Sequence, residues 1–229
     1  MTGAEIVILL IGPHGSGKTS FIKCVTGSTT DVAPTTRCRD YRANVDGNAF
    51  RLIDTPGLDD LPAGNLSILK DIVQTLEVLG SSKGPIDVNG AIFFHRITDG
   101  RFGGSARSNL DVFKQICGTK FAHQVVFVTS MWNKPSPLGQ ENYQRLSDEL
   151  RQKYFSIGTG PGTAFPFGNK AEDAKKVLKY FGDRNKREMR ELLLAQEVKR
   201  SGTSLSGVRR TSAGREIMQA SNRGFCTLF

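Results

Sequence analysis

Apolar residues fall at two alternating spacings along most of the chain, and the alternation outlines its elements. Glu5 is followed by Ile6-Val7-Ile8-Leu9-Leu10-Ile11, an unbroken apolar run of strand length. Such runs belong to parallel strands covered on both faces. Ser20 to Val25 then places Phe21, Ile22 and Val25 at helical spacing, and a polar, turn-rich stretch, Gly27 to Arg39, follows. Asp40 to Asp46 and Ala49 to Asp54 flank Asp46-Gly47-Asn48, which predicts an antiparallel hairpin. Helical stripes recur at Asn65–Leu79, Ser105–Cys117 and Asn142–Phe155, with strand-like runs at Val88–His95, Gln124–Thr129 and Thr163–Phe167 between and after them. Two further helices are predicted at about Ala171–Phe181 and Asp183–Lys199. The order βαββαβαβαβα predicts an α/β fold with a mainly parallel sheet and one antiparallel edge strand. Helices cover both faces in three layers, and the site lies at the carboxyl ends of the strands.

The first strand runs directly into Gly12-Pro13-His14-Gly15-Ser16-Gly17-Lys18-Thr19, a complete G-x-x-x-x-G-K-[ST] loop opening a helix. The free N–H groups and dipole of a helix N-terminus face a polyphosphate there, and the glycines let the backbone curl around it. Gly12 to Ser20 are therefore candidate nucleotide-binding residues. Lys18 reaches the β and γ phosphates and is also a candidate catalytic group, while the Thr19 hydroxyl is placed for Mg²⁺. This makes the chain a P-loop NTPase, with a G domain over residues 1–200. One hairpin later, Asp54-Thr55-Pro56-Gly57 ends a strand. There Asp54 serves the metal through water, and the Gly57 N–H senses the γ-phosphate. Thr35 or Thr36, in the loop between the first helix and second strand, is the candidate for a second threonine on Mg²⁺.

The base-reading element is expected after the strand ending at Thr129, where the chain reads Ser130-Met131-Trp132-Asn133-Lys134-Pro135-Ser136. Guanine selection ordinarily uses a carboxylate that accepts two hydrogen bonds from the base edge. Either Ser136 or Asn133 stands in the acidic position, and both are neutral. A lost charge-assisted bond of roughly 1.5–3 kcal/mol weakens base selectivity by one to two orders of magnitude. Leu58 follows Gly57 where Ras-like enzymes place a glutamine that orients the attacking water, so turnover is expected to be slow. Asp59, Asp60 and His14 are the polar groups nearest that position, and Asp59 is taken as the catalytic candidate.

Charge and composition modify this picture mainly at the far end. The chain has 229 residues and a net charge of +9. Residues 170–223 hold fourteen Lys or Arg against seven Asp or Glu. From residue 201 to 229 the sequence is basic and rich in Ser and Gly, which predicts a poorly ordered tail with a short helix near Gly214–Ala220. A basic end suits either an anionic membrane surface or plain solvation, and no specific nucleic-acid motif accompanies it. Cys226-Thr227-Leu228-Phe229 has the form of a C-a-a-X box, and prenylation there would add to the upstream arginines. The four cysteines lack C-x-x-C spacing and read as free thiols. Neither a signal peptide nor a membrane-spanning run is predicted, so a cytoplasmic protein, membrane-associated if prenylated, is expected.

The segments Gly15–Ile22, Leu52–Asp60, Phe94–Arg101 and Val128–Asn133 together resemble the G-domain-containing P-loop proteins abundant in mushroom-forming fungi. These are similar to septin-like and immunity-associated GTPases. The resemblance runs from about residue 5 to residue 215 and takes in Thr211-Ser212-Ala213-Gly214. It implies a GTP/GDP and Mg²⁺ switch with Asn133 at the position of the guanine reader, usually Asp. It also implies a homodimer across the nucleotide face, to which Arg96 and Arg101 would contribute charge-stabilising fingers, with Arg101 the catalytic candidate. The competing classes are a P-loop ATPase or kinase-like enzyme, and a nucleotide-binding scaffold without turnover.

Overall fold

The computed structural model describes residues 5–28, 34–58, 62–80, 85–99, 102–136, 139–157, 162–184 and 191–225. Six strands, β1 (Ile6–Ile11), β2 (Arg39–Val45), β3 (Asn48–Asp54), β4 (Gly90–Arg96), β5 (Val125–Ser130) and β6 (Thr163–Phe167), form one sheet in the order β2-β3-β1-β4-β5-β6. Only β2 runs antiparallel, paired to β3 from Arg39↔Asp54 to Val45↔Asn48. The fold is that of a P-loop NTPase G domain.

The period of two along each strand divides the core. Val7, Leu9, Ile11, Ile53, Phe93 and Phe127 point to one face, and Ile8, Leu10, Leu52, Ile92, Phe94 and Val128 to the other. The second face is covered by α1 (Lys18–Thr26) and α5 (Ala171–Arg184), through Phe21, Ile22, Val177, Leu178 and Phe181. The first face carries α2 (Pro62–Val78), α3 (Gly104–Cys117) and α4 (Gln140–Lys153). The inner strands β1 and β5 and all of β4 but its last residue are buried on both sides, which required apolar runs without alternation, whereas β3 beside the edge alternates over its first half. The outer strand β2 shows the opposite pattern, with Arg39, Asp40 and Arg42 exposed and Arg42 Nε 3.2 Å from the Glu5 carboxylate. On the other margin, β6 carries Pro166 opposite Thr129.

Three further helices complete the first face, and they correct two expectations. Of the predicted helix over 183–199, residues 185–190 lie outside the described residues, Asp183 and Arg184 belong to α5, and the rest is α6, Leu193–Ser201, which starts after the non-helical Glu191 and Leu192. The tail predicted to be poorly ordered forms α7 (Leu205–Arg210) and α8 (Ser212–Phe225), packed against α2 and α3. Val208, Ala213 and Ile217 are buried with Leu110, Phe113 and Leu66 in one cluster. The turn between α7 and α8 is fixed by the Glu197 carboxylate, which accepts from the Ser212 N–H at 2.7 Å and its hydroxyl at 2.6 Å. Cys226, the proposed lipid site, lies outside the described residues.

Ile217→Ala should therefore cost about 2–5 kcal/mol, the usual range for emptying a core position. Urea unfolding of the full chain measures it. A loss below about 0.5 kcal/mol would show that α8 does not carry its share of the core.

Candidate functional site

β1 lies where the strand order turns, with β3 on one side and β4 on the other, so the chain leaving Ile11 enters the crevice at the carboxyl ends of three parallel strands. The loop there ends at Gly17, whose φ of 92° is open to glycine at no steric cost. No side chain caps the first turn of α1 and no acid stands in it, so its N–H groups are left for a ligand. Lys18 is nearly buried, and its Nζ donates to the carbonyls of Gly12 at 3.0 Å and Pro13 at 3.1 Å. That places the ammonium along the inside of the loop.

Three oxygen ligands converge beside it. Thr19 Oγ1 donates to Asp54 Oδ2 at 2.9 Å, Thr35 Oγ1 donates to the same oxygen at 2.8 Å, and the two hydroxyls are 3.3 Å apart. Of the two neighbours left open by the sequence, Thr35 is the one in contact, and Thr36 is exposed. Asp54 is wholly buried and its Oδ1 is without a hydrogen-bond partner among the described residues. A set of hydroxyl and carboxylate oxygens with one carboxylate oxygen uncommitted suits a hard divalent cation such as Mg²⁺.

The switch segment is pressed against the loop. The Leu58 N–H donates to Gly12 O at 3.0 Å, Pro13 and Leu58 form an isolated parallel bridge, and Asn109 Nδ2 donates to Leu58 O at 3.4 Å. A Cβ on Gly57 would fall 2.3 Å from His14 Cα, so only glycine lets the two backbones approach this closely. Leu58 itself is a core residue, 3% exposed. Its side chain is spent on anchoring and has no polar group to offer a water.

The cleft has two connected parts. One, of about 250 Å³, is lined by the loop together with Pro34, Thr35, Thr55, Gly57 and Met131. The other, of about 210 Å³, is lined by Gly17, Ser20, Ser130, Met131, Asn133, Lys134, Phe167 and Asn169. Gly17, Ser20 and Met131 belong to both, so a bound phosphate chain would run directly into the second recess. Of the two positions considered for the base reader, Asn133 lines that recess and Ser136 is not among its lining residues. The segment is braced from behind: Trp132 Nε1 donates to Thr129 Oγ1 at 3.0 Å, and the Tyr143 hydroxyl donates to Pro135 O at 3.2 Å.

Asn169 escaped the sequence reading. It follows β6 in the left-handed region, with φ 64°, a conformation Asn tolerates better than most residues. The signal was a Gly-Asn pair directly after a strand, at the sheet end where ligands bind.

Arg96 acts within its own chain. Its Nε donates to Asp99 Oδ1 at 2.8 Å, and its Nη1 to His14 O at 3.2 Å, so the guanidinium ties the phosphate loop to the turn after β4. Arg101 and Asp59, the other two catalytic candidates, lie outside the described residues. His95, one residue earlier, is 1% exposed and packs edge-on against Phe102 at 5.0 Å. Burial pushes its pKa down to about 4 from 6.5, only partly opposed by Asp99, so it is neutral at pH 7.

A P-loop NTPase G-domain fold, with threonine and aspartate oxygens meeting beside the loop, is what this structure defines. A family model described as "50S ribosome-binding GTPase" matches residues 7–94, the span holding the phosphate loop and the Asp54–Gly57 segment. Immune-associated nucleotide-binding protein 5 of Arabidopsis thaliana is 36% identical over 70 residues, 30% of this chain. GTPase Der of Rhodopirellula baltica is 27% identical over 184 residues, 77% of this chain. These alignments take in only 23% and 37% of the two relatives' lengths. Among solved structures, Toc33 from Arabidopsis thaliana in complex with Mg²⁺ and GMPPNP superposes with a TM-score of 0.62 at 18% identity, covering 79% of this chain and 85% of that one. Bacterial selenocysteine-specific elongation factor EF-Sec has a TM-score of 0.54 at 16% identity, over 79% of this chain and 28% of that one. The chain is thus related in sequence to GTPases and shares their fold.

The depressed pKa of His95 makes stability depend on pH. Between pH 6.5 and 4 the unfolded chain takes up this proton and the folded one does not. The contribution is therefore complete above pH 6.5 and lost as pH falls through 4, for a total of about 3 kcal/mol. Denaturant unfolding from pH 7 to pH 4 should show His95→Gln losing less stability than wild type over that window. Parallel curves would place the titration elsewhere.

Proposed function

We propose that the chain is a guanine-nucleotide-binding switch and a slow, Mg²⁺-dependent GTPase. The observation that carries this is the meeting of Thr19, Thr35 and Asp54 at 2.8–3.3 Å beside an uncapped phosphate loop. A phosphate loop alone serves many NTPases, but a threonine from the connecting loop joined to the strand-end aspartate is the arrangement of a γ-phosphate switch. Solved Toc33 structures carry GMPPNP or GDP together with Mg²⁺, which supports the same ligands here.

In this reading the N–H groups of Gly15 to Thr19, with Ser20 beside them, cradle the phosphates, and Lys18 neutralises charge that develops on the β and γ groups. Thr19, Thr35 and Asp54 would hold a Mg²⁺, which would supply positive charge to offset that of the phosphates. The Gly57 N–H contacts the γ-phosphate, and loss of that group releases the segment ahead of α2. Leu58 supplies no water-orienting atom, so the intrinsic rate is low and a faster one needs another group. Asp59, and Arg101 from a second copy across the nucleotide face, are the candidates. Dimerisation is important for the GTPase activity of the chloroplast translocon components Toc33 and Toc159, and a homodimer here is proposed on the likeness of fold. The same proposal has the protein in the cytoplasm, drawn to anionic membrane by its basic C-terminal residues and by prenylation of Cys226.

Calorimetry with GDP and a non-hydrolysable GTP analogue in Mg²⁺ should show binding that Lys18→Ala weakens at least 100-fold. Thr35→Ala should weaken the triphosphate analogue about tenfold and leave GDP nearly unchanged, because the switch threonine serves the γ-phosphate state. Wild-type turnover should stay below about one per minute. Unchanged binding in Lys18→Ala would remove the site, and turnover of tens per second would remove the slow-hydrolase reading.

A further inference from the structure

The recess next to the phosphate loop is lined by neutral and basic residues. Asn133, which the family resemblance sets at the position of the base-reading carboxylate, lines it, and among the residues lining it none is acidic. Asp173, close to the β6–α5 turn, has its Oδ2 committed to the Gly168 N–H at 2.9 Å. The Asn133 side chain is exposed, and among the described residues it makes no hydrogen bond that would fix its amide for another purpose.

A carboxylate presents two acceptors to a purine edge, whereas an amide presents one acceptor and one donor. Guanine offers two donors at that edge, N1–H and the 2-amino group. Asn133 Oδ1 can accept from N1–H, but the amide nitrogen then confronts the 2-amino donor, and one bond is replaced by a repulsion. Hypoxanthine, which has no 2-substituent, keeps the single bond without the repulsion. Xanthine offers N1–H as donor and its 2-carbonyl as acceptor, so the amide satisfies both positions at once. Adenine, with an unprotonated N1 and no 2-substituent, gains only one bond after the amide is turned over. The order of fit is xanthine, hypoxanthine, then guanine.

We propose that Asn133 makes this a 2-oxopurine-preferring nucleotide site: it admits guanine nucleotides and binds the xanthosine nucleotide more tightly. This rests on the nucleotide-switch reading above and names the base that the same cleft selects. Trading a donor–donor repulsion for one neutral hydrogen bond corresponds to about a tenfold change in affinity.

The test is calorimetric titration of the full chain, wild type and Asn133→Asp, with xanthosine, inosine, guanosine and adenosine diphosphates in Mg²⁺. Wild type should bind the xanthosine diphosphate about tenfold tighter than GDP, with the inosine diphosphate between them. Asn133→Asp should reverse that order in favour of GDP by about tenfold or more. The substitution is on an exposed side chain, and a thermal melt matching wild type establishes that the variant is folded. Wild-type preference for GDP over the xanthosine nucleotide, or a preference that Asn133→Asp leaves unmoved, overturns the proposal and leaves the guanine switch standing. Binding of the adenosine nucleotide alone, or of none of the four, overturns both.

Discussion

A carboxylate with no exposure to water holds the two halves of the site together. Burying a charged group is costly unless polar partners replace its hydration. Asp54 has hydroxyl partners from two separate segments, Thr19 at the start of α1 and Thr35 in the loop before β2. Its own place is set by register, since β3 pairs with β1 up to Leu10↔Asp54 and so ends level with the phosphate loop. The end of a strand, the first turn of a helix and a connecting loop therefore share one oxygen atom. Displacing any of them leaves the carboxylate short of a partner, which couples the three more tightly than apolar packing would.

Around this centre the cleft uses two kinds of recognition. The loop side offers backbone N–H groups and one lysine, which follow from the fold once the glycines allow close approach. The adjoining recess is lined by side chains on the turns after β5 and β6, the first of these turns braced by Trp132 and Tyr143. Leu58 belongs to the first kind. Its N–H and carbonyl are both bonded and its side chain is in the core, so the residue serves attachment of the switch segment to the loop.

The sheet, its one antiparallel strand and the helices on both faces were legible because strands buried on two sides must be apolar throughout, as Ile6–Ile11 is. The phosphate loop and Asp54 were legible because their chemistry needs fixed residues at fixed spacing. What escaped has a common physical cause: packing by small residues looks like loop composition. Gly207 and Gly214 stand where a Cβ would meet Gly202 O at 2.1 Å and Val208 O at 2.2 Å, and they let α7 and α8 fold close to their neighbours. In composition the same glycines, beside Ser and Arg, pointed to disorder. The choice of Thr35 over Thr36, of Asn133 over Ser136, and the presence of Asn169 are matters of direction in space, which neighbouring positions in a string do not carry.

The sheet margins limit how the molecule can meet copies of itself. A strand margin with free backbone groups invites another strand, and both margins here discourage it. On β2 the exposed Arg39, Asp40 and Arg42 surround the open side with solvated charge. On β6 Pro166 contributes no N–H, so a further strand would lack a donor in mid-ladder. Continuous β-structure running from one molecule into the next is thereby disfavoured, and association is left to side-chain surfaces, whose partners can be exchanged without unpicking a ladder.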